Sequence, residues 1–227
     1  MKITLSLEKT ISSDVSIMVD VLRASTTITY ALDKFNRIIP CFTPEEAFDL
    51  KNKNGSIIAG ERKGEKIDGF DIGNSPETIY NLENKSEELA LTTSNGTRIL
   101  KDMNSKVLIG CLANEKSVGE KSVDIAESHI DVVMAGVRGE FAIEDYLASG
   151  EIIYQISKNC DECEISEYAK SAILASRDYD LVKKAFYESG SGKRLTRLGY
   201  KKDIDFCLRK NSTKNVGIYT NNIIHAL

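Results

Sequence analysis

The sequence predicts a three-layer α/β/α protein with a largely parallel or mixed sheet and a helical C-terminal layer. Three observations carry this prediction. Short apolar runs rich in Val, Ile and Leu alternate with stretches of helical apolar spacing through the first two thirds of the chain, as in strands linked by crossover helices. Several of those runs are continuous, as in strands covered on both faces. From Ile165 to Arg209 the pattern turns charged and helical before a last strand-like run. At 227 residues and 41% hydrophobic content the chain can bury a substantial core, as one domain spanning 1–227 or as two tightly fused α/β halves.

In chain order, strands are expected at Val15–Val21, Ser56–Gly60, Leu89–Thr92, Lys106–Leu112 and Asp131–Ala135. A helix is expected from Thr43-Pro44-Glu45-Glu46, where Thr43 caps, Pro44 suits the first turn and Glu46 can complete a capping box. Ala113–His129 and Phe141–Lys158 have helical apolar spacing and no proline. Ser189-Gly190-Ser191-Gly192 interrupts the charged helical layer, and Val216–Thr220 reads as the returning strand.

Composition excludes several function classes. A net charge of -4 gives no general nucleic-acid binder, whose surface would be basic. No apolar run approaches the roughly 20 residues of a membrane helix. The N-terminus MKITLSLEKT alternates and carries charge, unlike a signal peptide, so a cytoplasmic protein is expected. Five cysteines, an odd and scattered set, do not form a disulfide framework, and the lone Cys160/Cys163 pair lacks the partners of a zinc site. His129 and His225 are too few for histidine-rich chemistry.

The loops leaving the expected strands are more informative. Asp20, Arg23, Ser25 and Thr26 come after the first strand. Glu61 and Arg62 come after the second, ahead of a polar loop through Gly69-Phe70-Asp71 to Asn74-Ser75-Pro76. The Leu89 run leads into Thr93-Ser94-Asn95-Gly96-Thr97-Arg98, and the Asp131 run into Gly136, Arg138, Gly139 and Glu140, with Glu144 and Asp145 opening the next helix. Ligands of open parallel sheets bind outside the carboxyl ends of the strands, where these loops would meet. Arginine is suited to bidentate contact with phosphate, sulfonate or carboxylate, so Arg23, Arg62, Arg98 and Arg138 suggest a small ligand with several negative groups. Ser25, Thr26, Ser75, Thr93 and Thr97 precede or open helices, whose free N–H groups also hold anions. Acids beside an anion repel it unless a cation bridges them, and Mg²⁺ would do so. Each feature has a plainer reading: Asp20 as a helix cap, Glu144 and Asp145 as partners of a helix dipole, Asn95-Gly96 as a turn, any one arginine as a surface residue. The joint pattern over four loops favours the site.

Familiar phosphate chemistries do not fit. Leu22 stands where a haloacid-dehalogenase-type phosphatase needs a second Asp, and there is no P-loop, no thiolate-phosphatase loop and no dinucleotide fingerprint. The loops instead resemble the magnesium-dependent 2-phosphosulfolactate phosphatases of coenzyme M biosynthesis. The resemblance rests on Val19–Thr27, Gly60-Glu61-Arg62, Gly69-Phe70-Asp71 with Asn74-Ser75-Pro76, Thr92–Arg98, Ala135-Gly136 with Gly139-Glu140-Phe141, and Glu144-Asp145. The ending Gly192, Leu195, Gly199, Asp203-Ile204 and Cys207 also looks like that family's, although the chain is somewhat short for it.

The resemblance implies hydrolysis of (R)-2-phospho-3-sulfolactate to 3-sulfolactate and phosphate. Asp20, Glu61 and Asp145, with Glu140, would hold Mg²⁺; Arg23, Arg62 and Arg98 would stabilise charge on the phosphoryl oxygens. Ser25, Thr26, Asn74, Ser75, Thr93, Asn95 and Thr97 would hold the rest of the substrate, with Arg138 on the sulfonate or carboxylate. Asp20 either serves water attack or attacks phosphorus itself; both routes fit. The rival readings are a phosphatase for another small 2-phospho-hydroxy acid, a non-catalytic polyanion sensor, and a scaffold whose arginines pair between subunits. A metabolic enzyme of this size is often a homodimer, and the sequence itself does not set the oligomeric state.

Overall fold

The structure is a computed structural model describing every residue except Asn84 and Asp102. The elements are β1 (Lys2–Leu7), β2 (Val15–Val19), α1 (Ala24–Ala31), β3 (Phe35–Cys41), α2 (Pro44–Asn54), β4 (Ile57–Arg62), β5 (Glu65–Lys66), α3 (Pro76–Tyr80), β6 (Ser86–Thr92), α4 (Gly96–Leu100) and β7 (Lys106–Ile109). After a 3₁₀ turn at Leu112–Asn114 come α5 (Glu115–Ile125), β8 (His129–Met134), α6 (Ile143–Lys158), β9 (Glu164–Ile165), α7 (Glu167–Ser176), α8 (Tyr179–Glu188), α9 (Gly190–Arg197), α10 (Lys201–Cys207), β10 (Gly217–Thr220) and β11 (Ile223–Ala226). The mixed α/β class expected from the sequence is the one observed. Among the described residues no helix is long and apolar enough to cross a membrane.

One sheet of 11 strands, ordered β5-β4-β6-β3-β11-β10-β7-β2-β8-β1-β9, runs through the molecule. Two parallel blocks, β4-β6-β3 and β7-β2-β8-β1-β9, are joined by the antiparallel hairpin β10–β11. Every residue of β2 is buried, and only His129 of β8 is not, which accounts for their unbroken apolar sequences. Passing through three antiparallel neighbours, the blocks run in opposite senses. The carboxyl ends of β2 and β8 in one block and of β4 and β6 in the other nevertheless border one pocket, as strand twist of roughly 20–25° per step, accumulated over the six steps from β2 to β4, would allow.

Several boundaries differ from expectation for local reasons. The run expected as one strand over Lys106–Leu112 ends at Ile109, because Asn114 Oδ1 accepts the Cys111 N–H (3.0 Å) and turns the chain. Helix α5 stops at Ile125 rather than His129: Asp14 Oδ2 accepts the N–H groups of Glu127, Ser128 and His129 (2.8, 2.8 and 3.1 Å) and starts β8 there. Thr43 Oγ1 caps α2 at 3.3 Å from Glu46 N, but Glu46 reaches back to Phe42 N (2.7 Å), one residue before the expected box partner. The interruption expected over Ser189–Gly192 is confined to Ser189, which is extended between α8 and α9, and Gly190–Gly192 open α9. Ser189 Oγ accepts the Gly192 N–H (3.0 Å) and caps α9, and a Cβ at Gly192 would lie 1.8 Å from Phe186 O. Strands β1, β3, β5, β9 and β11 have no counterpart among the expected ones, and β5 and β9 are only two residues each. β1 alternates too briefly to stand out, β3 carries Asn36, Arg37 and Pro40, and β11 is four residues long.

Candidate active site

Loops leaving β2, β4, β6 and β8 enclose a pocket with Asp20, Glu61 and Asn74 among its lining. These three are nearly sealed from solvent, at 7%, 7% and 3% exposure. Asp20 stands one residue beyond β2, and its Oδ1 accepts the Ala24 N–H at the start of α1 (3.4 Å). Burial, then the charges of Glu61 and Glu144, push its carboxyl up to about 7, against N–H groups of Ala24 and Gly96 that favour the anion. Gly96 is closely fitted: a Cβ there would lie 2.7 Å from Ala24 Cβ and 2.8 Å from Asp20 Oδ2.

Glu61 and Asp145 hold loops as much as they charge the site. Glu61 accepts the N–H of Gly64 with one oxygen and of Ser94 with the other, both at 2.7 Å. It thereby joins its own hairpin to the loop after β6. Asp145, in the first turn of α6, accepts Val21 N (2.8 Å) and Gly136 N (3.0 Å), clamping the loops after β2 and β8. Burial first, then Asp20 and Glu144, raise its carboxyl well above the ordinary range. Asp145 and Glu144 are buried outside the pocket lining, and Glu140 is exposed in the Gly139 turn.

The arginines divide into two groups. Arg23 lines the pocket but is pinned: Nη1 donates to Asp203 Oδ2 (2.7 Å), Nη2 donates to Gly64 O (2.7 Å), and the guanidinium lies 4.6 Å from the Tyr200 ring centre. The Leu22–Arg23 peptide bond is cis. Arg62 donates to Glu61 O (2.7 Å) and Thr92 Oγ1 (3.0 Å), outside the pocket lining. Arg98 pairs with Glu8 in a separate cleft. Arg138 reaches the pocket, with its backbone N–H on Asn95 Oδ1 (3.4 Å).

Most of the hydroxyls are occupied locally. Ser25 lies outside the pocket lining, and its Oγ accepts Asp20 N (3.3 Å); Thr26 Oγ1 donates to Val21 O (3.0 Å). Thr93 Oγ1 and Thr97 Oγ1 each accept the other's N–H, at 3.1 and 3.2 Å. Ser75 caps α3 and donates to Asp203 Oδ1 (2.7 Å). Asn95 lines the pocket, and so does Asn74, whose buried Oδ1 accepts no hydrogen bond among the described residues. Ser94, Lys63, Ser191 and Arg194 also line it and are not among the expected site residues. Lys63 directly follows Glu61-Arg62, which the sequence singles out. Arg194 gives no sign, since one arginine in a charged helix carries no information about which way it faces.

A family model for 2-phosphosulpholactate phosphatases matches residues 2–222. The 2-phosphosulfolactate phosphatase of Methanothermobacter thermautotrophicus is 46% identical over 219 residues, covering 96% of this chain and 92% of that one. The 2-phosphosulfolactate phosphatase of Methanocaldococcus jannaschii is 36% identical over 217 residues, covering 91% and 89%. The chain therefore belongs to the 2-phosphosulpholactate phosphatase family, a family of phosphoric monoester hydrolases.

Proposed function

We propose that the chain hydrolyses (R)-2-phospho-3-sulfolactate to 3-sulfolactate and phosphate, with Mg²⁺, in the cytoplasmic synthesis of coenzyme M. The observation that carries the reading is the buried acidic floor, Asp20 and Glu61, set below a cationic rim of Lys63, Arg138 and Arg194. Such a pocket suits a ligand with one group reacting at depth and further negative groups near the mouth.

The donor set suits Mg²⁺. Two buried carboxylates that line one pocket with the orphaned Asn74 Oδ1 are costly without a cation. Among the described residues no three acidic, imidazole or thiol side chains close into a cage. Mg²⁺ does not need one, because it commonly takes one or two carboxylates and keeps its other positions for water and substrate oxygens. Asp20, Glu61 and Asn74 would hold it. When bound, the ion polarises the phosphoryl group and lowers the pKa of water. Glu140 and Asp145, expected from the sequence to share that role, are better suited to loop contacts because neither lines the pocket: Glu140 is exposed in a turn, and Asp145 is buried against the N–H groups of Val21 and Gly136.

The chain's own groups supply position and charge. Asp20, just beyond β2 and bonded to the start of α1, would take a proton from water or attack phosphorus. Arg23, fixed by Asp203 and Gly64, presents its charge at the wall without reorganising. A panel of phosphosulfolactate, phospholactate and phosphoglycolate, monitored by phosphate release, tests the substrate. Preference for phosphosulfolactate supports the reading, and a stronger preference for either of the others points to a different 2-phospho-hydroxy acid.

A further inference from the structure

We infer that Arg194 is a specificity-determining residue that holds the substrate's non-transferred sulfonate. This deepens the proposed function and rests on it for the identity of the ligand. Cations around the pocket differ in whether an acid pairs with them. Arg23 is committed to Asp203, and Arg98 to Glu8 outside the pocket. The cations that line the pocket without an acidic partner among the described residues are Lys63, Arg138 and Arg194. All three are exposed, whereas Asp20, Glu61 and Asn74 are buried, so the pocket has an acidic floor and a basic mouth.

That order fits the substrate. The phosphoryl group, which must meet Asp20, goes to the floor. The sulfonate, on the carbon beyond the ester, is left at the mouth. It stays ionised at any working pH and presents three oxygens, which a guanidinium can contact in pairs.

Arg194 is also the best supported of the three. Lys63 and Arg138 sit in turns with positive φ (56° and 54°). Arg194 lies in α9, whose start is fixed by the Ser189 cap and whose close approach to Phe186 only Gly192 permits. Its stem runs beside Gly64: a Cβ on that glycine would lie 3.7 Å from Arg194 Cδ. Gly64 in turn donates its N–H to Glu61 and accepts from Arg23, so Arg194 is set against the same hairpin that holds the floor. It also borders the adjoining cleft lined by Phe141, Ile143 and Glu144, which places it at the pocket's edge.

The test uses the full chain with Mg²⁺, the variants Arg194→Met and Arg194→Lys, and Arg197→Met as a control on the same helix outside this pocket. Calorimetry measures binding of 3-sulfolactate and of inorganic phosphate. A charge-assisted contact of this kind is worth a factor of about ten to one hundred. Arg194→Met is expected to weaken 3-sulfolactate by that factor and inorganic phosphate far less, Arg194→Lys to recover part of the loss, and Arg197→Met to match wild type. In kinetics, Arg194→Met should lower kcat/KM for phosphosulfolactate much more than for phospholactate, which has no sulfonate. Equal losses for both ligands, undiminished 3-sulfolactate binding in Arg194→Met, or no 3-sulfolactate binding by wild type would overturn the inference. A wild-type chain that binds 3-sulfolactate through Arg194 but releases no phosphate from the ester would instead sink the proposed function and leave this assignment standing.

Discussion

Replacing Gly96 with alanine should disable the enzyme through one methyl group that never touches substrate. The added Cβ would lie 2.7 Å from Ala24 Cβ and 2.8 Å from Asp20 Oδ2. Carbon atoms pack at about 3.5–4.0 Å, so a relief of roughly 1 Å must be shared among α4, Ala24 and Asp20. Ala24 opens α1 and is fully buried, and Asp20 is bonded to the same helix start, so neither yields alone. Overpacking of this kind costs about 1–3 kcal/mol of stability, and a displacement of about 1 Å in a reacting group costs about a hundredfold in rate. Denaturant unfolding and phosphate release on the same preparation measure the two effects separately. The expected result is a folded protein with a modestly lower midpoint and kcat reduced by about two orders of magnitude. Gly96→Ala with wild-type kcat would refute the claim that Asp20 must stand where the loop after β6 holds it.

The same geometry yields other expectations. Asp203→Ala leaves Arg23 buried without its acid and should cost about 3–5 kcal/mol in urea unfolding; a loss under about 1 kcal/mol would show that the pair is not structural. Glu115 lies in a second buried acidic cluster, with Glu151 and Lys210, and burial with the charge of Glu151, opposed by Lys210, pushes it from 4.5 up to about 7. A raised folded-state pKa gives stability that is complete below about pH 4.5 and lost as pH rises through 7. Glu115→Gln should therefore stabilise the protein more at pH 8 than at pH 5, by up to about 3 kcal/mol, and equal shifts at both pH values would contradict this. Rapid quenching during turnover distinguishes the two roles of Asp20: a labelled phosphoenzyme means direct attack, and solvent ¹⁸O entering phosphate with no such species means water attack.

The fold class was legible because its central strands are buried on both faces and therefore written in unbroken apolar residues. Edge and bridging strands were not. β3 mixes polar residues and a proline, and the short hairpin β10–β11 gives no local hint that it joins two blocks running in opposite senses. Asp20 and Glu61 could be read from their place at the ends of strands, Asp20 just beyond β2 and Glu61 within the last two residues of β4, and they do line one pocket. The task of each side chain there was hidden, because residue type does not tell a ligand from a clamp. Arg98 has the motif position of a substrate contact and pairs with Glu8 elsewhere. Arg194 has no motif and reaches the mouth because α9 packs against Gly64.

Phosphate release from (R)-2-phospho-3-sulfolactate, measured for wild type and Asp20→Asn with Mg²⁺ or with chelator, tests the central claim most directly. Wild type with Mg²⁺ should release phosphate, while wild type with chelator and Asp20→Asn under either condition should not. Full Mg²⁺-dependent release by Asp20→Asn, or equal release by wild type with and without the metal, would contradict the account.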